Sequence, residues 1–185
     1  QNDHSRTVKM LLAVEGIQVN QAGDNGYTPL NTACEKGHLK VVKMLLAVDD
    51  IQVNQADDEG WTPLKTACEK GHSKVVKMLL AVEGIQVNQA NNNGYTPLNS
   101  ACQNGHSKVV KMLLAVEGIQ VNQATDKGFT PLMTALSHSH IDIAIQLFQH
   151  GIGHNNINEW FCINKIIPSG RIALYKYALL LPQQH

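Results

Sequence analysis

Three cysteines each stand four residues ahead of a histidine: Cys34 and His38, Cys68 and His72, Cys102 and His106. A thiolate and an imidazole at that spacing could clamp a metal ion, or could form a nucleophile with its base. Both chemistries require the two side chains to converge, so the elements that carry them decide the matter. In the middle copy, Gly71 stands between Cys68 and His72. Glycine accepts the left-handed conformation with which helices end, so the pair need not share one continuous helix.

Those elements recur. "IQVNQA" begins at Ile17, Ile51, Ile85 and Ile119, "KMLLAV" at Lys9, Lys43, Lys77 and Lys111, and "TPL" at Thr28, Thr62, Thr96 and Thr130. The register is 34 residues, the mark of a solenoid. In the unit that starts at Asp58, Thr62 and Pro63 open a short helix to about Lys70, with Thr as cap and Pro at the first helical position. A second helix is predicted from about His72 to Val82, with Val75, Val76, Leu79 and Leu80 as its buried stripe. The tips "DNG", "DEG", "NNNG" and "DKG" place glycine where a tight turn needs positive φ.

Equivalent residues of neighbouring units then lie about 8–10 Å apart, one helix-packing distance. Disulfides need Cα atoms within about 7 Å and zinc ligands sit about 2 Å from the ion. Cys34, Cys68 and Cys102 are therefore read as small buried thiols, the histidines as turn residues, and no metal or cofactor site is expected.

The unit resembles the ankyrin repeat. The likeness is carried by the turn at Asp58 and Gly60, by "TPL", by Ala67-Cys68, by Gly71-His72, and by "VVKMLL" followed by "VNQA". It implies an all-α ankyrin-repeat solenoid of stacked helix-turn-helix units with β-turn or hairpin loops. Residues 1–22 form a partial repeat, 23–156 four full ones, and 157–185 a C-terminal helical cap using Trp160, Phe161, Ile163, Leu174, Tyr175 and Leu179. The N-terminal start within a repeat suggests a piece of a longer array. The family usually has His after "TPL"; Asn31, Lys65, Asn99 and Met133 stand there instead, which predicts looser hairpins.

In such a stack the repeated positions build the core and the varied ones carry information. The resemblance places a partner-binding surface on the concave side. An aromatic residue stands there in every full unit, Tyr27, Trp61, Tyr95 and Phe129, as rigid amphipathic anchors or as packing over the turn. Around them vary the tip residues Asn25, Glu59, Asn93 and Lys127, and Asn31, Lys65, Asn99 and Met133, expected on the exposed side of the first helix. Asn54, Asn88 and Asn122 in "VNQ" match asparagines that an asparaginyl hydroxylase can modify in this family; otherwise they bond the loop backbone.

Apolar residues make up 43% and charged ones 16%, and fifteen Lys and Arg balance fifteen Asp and Glu. That balance argues against a nucleic-acid partner, and no stretch is long and apolar enough to span a membrane. The expectation is a non-catalytic, monomeric, intracellular or cytoplasmic scaffold with another protein as partner. The competing readings are the targeting module of a larger enzyme or secreted effector, a hydroxylase substrate, and an inert spacer.

Overall fold

The computed structural model describes residues 4–150. A lone helix α1 (Ser5–Leu11) is followed by four helix pairs: α2 (Pro29–Glu35) with α3 (Leu39–Leu45), α4 (Pro63–Glu69) with α5 (Ser73–Leu79), α6 (Pro97–Gln103) with α7 (Ser107–Leu114), and α8 (Pro131–Ser137) with α9 (Ile141–Gln149). Among the described residues there is no strand. The C-terminal cap expected over 157–185 and the end of the fourth unit lie outside them.

Local chemistry sets each boundary. Thr28, Thr62, Thr96 and Thr130 adopt extended backbone, and each side chain accepts a hydrogen bond from the N–H three residues on. Proline follows each, where no donor is lost. The first helices stop at Gly37, Gly71 and Gly105, with φ of 67°, 71° and 73°. In the fourth unit Ser139 takes the same left-handed conformation at φ 61°. The second helix of the Asp58 unit ends at Leu79 rather than Val82, because the chain tightens: the N–H groups of Ala81 and Val82 reach back only three residues, to Met78 and Leu79.

Burial follows the repeat. Leu30, Leu64, Leu98 and Leu132 with Ala33, Ala67, Ala101 and Ala135 line the first helices, and Leu45, Leu79, Leu113 and Leu147 face them from the second. Small residues on the first helices let α2, α4, α6 and α8 pack closely along a row, whereas the second helices touch more sparsely. We term the closely packed first helices, with the tips, the inner face, and the second helices the outer row.

Candidate functional site

The inner face starts from the tips. The N–H groups of Gly23, Asp57, Asn91 and Thr125 donate to the carbonyls of Tyr27, Trp61, Tyr95 and Phe129 at 3.0–3.1 Å, closing each turn. Asp57 Oδ1 in turn accepts from the N–H of Trp61 at 2.7 Å, Asn91 Oδ1 from Tyr95 at 2.9 Å, and Thr125 Oγ1 from Phe129 at 3.2 Å. The side chain that opens each of these tips is therefore structural, and it pins the backbone of the aromatic residue. Successive tips are joined as well: Asp58, Asn92 and Asp126 donate their N–H groups to the carbonyls of Asn25, Glu59 and Asn93 at 3.4, 3.0 and 3.2 Å.

On this continuous ladder the side chains of Asn25, Glu59, Asn93 and Lys127 are exposed, and the rings of Tyr27, Trp61, Tyr95 and Phe129 are half-buried beside them. Those eight residues are brought together. Asn31, Lys65 and Asn99 are not: they are buried at 0–1% exposure, and Met133 is half-buried, which corrects the expectation of an exposed helix face. The close row of first helices covers that position.

Buried there, asparagine does a different job. Asn31 Nδ2 donates to the carbonyl of Trp61 in the next unit at 2.8 Å, while its Oδ1 accepts from Thr28 Oγ1 at 2.7 Å. Asn99 Nδ2 reaches the carbonyls of Gln123 and Phe129 at 3.3 and 3.5 Å. The expected loosening is corrected at these two units: an amide ties helix to turn across the junction.

Lys65 is the exception. Its Nζ sits 3.0 Å from the centroid of the Trp61 ring, a cation–π contact. Burial lowers its pKa to about 8, against the opposing pull of Glu69 and Asp57. Around it the face is acidic. Burial first, then Asp57, Glu35, Glu69 and Glu59, raise the pKa of Tyr27. Lys36 and Lys70 pair with their neighbours Glu35 and Glu69 at 3.1 and 3.3 Å, exposed contacts of small energetic weight. The third and fourth units carry Gln103-Asn104 and Ser137-His138 instead, so the face changes character along its length.

The pairs Cys68–His72 and Cys102–His106 separate as the glycine implies. Cys34, Cys68 and Cys102 are buried and free. Burial pushes their thiols up, Cys34 to about 12 and the other two further, which suppresses the thiolate a nucleophile needs. His72, His106 and His140 turn the other way: each Nε2 donates to a carbonyl of the preceding unit, Glu35, Glu69 and Gln103, at 2.9, 2.7 and 3.1 Å. Among the described residues no group of three or more His, Cys, Asp and Glu is placed to hold a metal ion.

The "VNQ" asparagines form a further ladder. Asn54 donates to the carbonyl of Gly84 and accepts from the N–H of Gln86, and Asn88 does the same with Gly118 and Gln120, all at 2.8–2.9 Å. Asn20, the equivalent residue of the first "IQVNQA", joins them through Asp50 and Gln52. Asn122 is exposed, and the segment thirty residues ahead of it lies outside the described residues.

Stacked helix-turn-helix units with a closely packed row of first helices, Thr-Pro starts and bonded tips define a solenoid of the interaction-module type. The chain belongs to the ankyrin repeat family: the family model for ankyrin repeats (3 copies) matches residues 1–91 and 81–158. Ankyrin repeats are in general protein–protein interaction modules, and the family is typically non-catalytic. The comparison with curated proteins returned no match. Among the described residues no helix is long and apolar enough to cross a membrane.

Proposed function

We infer that the chain is a non-catalytic scaffold that holds a partner protein against its inner face. The observation that carries this reading is the contrast between a uniform backbone ladder and the chemically different side chains it displays: Asn25, Glu59, Asn93 and Lys127, neutral, acidic, neutral and basic in turn. The half-buried rings of Tyr27, Trp61, Tyr95 and Phe129 supply rigid anchors with little conformational freedom left to lose. Met133 adds an apolar contact at the C-terminal end of the row. Because the ladder is formed before any partner arrives, affinity is set by the displayed side chains rather than by ordering of the chain.

The test is retention of partners from a lysate by two variants, each first shown to be folded by circular dichroism. In one, Asn25, Glu59, Asn93 and Lys127 are replaced by serine, which leaves the ladder's backbone bonds in place. In the other, the four aromatic residues become alanine. A protein held by the natural chain and lost by both variants supports the reading. Identical retention by all three would move the binding site off this face.

A further inference from the structure

The outer helices carry a charge pattern that folding explains only in part. Arg6, Lys40, Lys74 and Lys108 occupy the second position of α1, α3, α5 and α7, and Lys9, Lys43, Lys77 and Lys111 the fifth. All eight are exposed. Residues three apart on a helix share a face, about 5–6 Å apart, and neighbouring helices add about 10 Å. The result is a lattice two cations wide and four long on the side opposite the tips.

The fifth-position lysines are accounted for, since cations near a helix C-terminus are favoured by its dipole. The second-position row runs against the same dipole, which favours acids in the first turn, and α1, α3, α5 and α7 have none there. α9 shows the alternative: Asp142 stands at the second position, Ile145 at the fifth, and the lattice stops. Among the described residues Lys43, Lys74, Lys77, Lys108 and Lys111 have no ion-pair partner. Nor do the cations serve net charge, which is zero over the chain.

We propose that the outer row of α1, α3, α5 and α7 is a second binding surface, separate from the inner face, for an extended acidic polypeptide segment that runs along the stack. A segment in the extended polyproline-II conformation rises about 3.1 Å per residue with three residues per turn, so a carboxylate at every third residue recurs on one face at about 9 Å, within the helix spacing of about 8–10 Å. About ten residues cross all four helices. A single chain fits better than a wide polyanion, because an exposed acidic row (Glu15, Asp49, Glu83 and Glu117) follows the helices and would press against a duplex or a flat anionic membrane. Seven of the eight cations are lysine, a point charge, rather than the forked arginine that favours phosphate.

The probe is a labelled peptide of about twelve residues with glutamate at every third position, titrated with the full chain at low and physiological ionic strength. Three proteins are compared: the natural chain, Lys74→Asp with Lys108→Asp, and Lys36→Gln with Lys70→Gln on the inner face. The aspartates copy Asp142 of α9, so the helices are expected to persist by circular dichroism. The expected result is salt-sensitive binding, weakened about tenfold or more by the aspartate pair and unchanged by the glutamine pair. Absence of binding, equal effects of the two pairs, or tighter binding of a single-stranded oligonucleotide or of phosphatidylserine vesicles would each overturn the proposal.

Discussion

The imidazole of His106 fills the space into which a side chain on Gly71 would grow: a Cβ built there would lie 2.5 Å from the ring. Gly37 and Gly105 meet His72 and His140 in the same way. One glycine thus meets two demands, a left-handed backbone that ends its own helix and room for the histidine of the next unit.

Gly71→Ala is expected to destabilise the protein by about 2 kcal/mol more than Gly84→Ala, measured by urea denaturation. Gly84 has a similar positive φ, 75° against 71°, but open space around it, so it reports the backbone strain alone. In a His106→Ala background the excess at Gly71 should vanish. If it survives, the clash is not its cause.

Lys65→Asn should stabilise the fold by about 1 kcal/mol at pH 7, by installing the amide that ties the neighbouring junctions and removing a buried ammonium. The pKa falls from 10.5 to about 8 on folding, so in that window the unfolded chain holds a proton the folded one has released. Stability of the natural chain therefore rises with pH from about 8 to 10.5. Relative to Lys65→Asn the natural chain should gain at most about 3 kcal/mol over that range, enough to erase or reverse its deficit. A constant difference across the window would show that Lys65 does not titrate as a buried cation.

Cys34, Cys68 and Cys102 should react with a thiol reagent at pH 8 at least about a hundredfold more slowly than free cysteine, and at the free rate in denaturant. Cys162 lies outside the described residues and is replaced by serine for the measurement. Fast labelling in the native state would contradict the buried placement.

Ser139→Gly should raise the stability of the fourth unit by about 0.5–1 kcal/mol, because a non-glycine residue is held there at φ 61°. Thermal unfolding followed by circular dichroism reads the shift. A lower melting temperature would mean that the flexibility glycine adds to the unfolded chain outweighs the relieved strain.

What could be read in advance was local. Thr62, Pro63 and Gly71 announce a helix start and stop through their own backbone preferences, and Val75, Val76 and Leu79 show their buried face by spacing. What escaped depends on residues thirty or more positions away. The partner of Asn31 is the carbonyl of Trp61, and that of His72 is the carbonyl of Glu35, and neither separation has a signature within one unit. Lys65 differs for another reason: lysine is almost never fully buried, and here the ring of Trp61 together with the carboxylates of Glu69 and Asp57 offsets the cost. Of the inner face, the tips and aromatic residues were legible because they vary or recur at a fixed place, while the helix positions vary for structural reasons.

The amide ladder of Asn20, Asn54 and Asn88 makes the units interchangeable. Each amide grips the loop thirty to thirty-two residues ahead through the same pair of backbone groups, so these three described junctions share one loop connector. Excising one 34-residue block, or splicing in another, would bring together edges that already match. The protein can thus be lengthened or shortened in whole steps of about 10 Å without redesign of a joint. Its reach is a modular quantity, a ruler whose graduations are copied rather than invented.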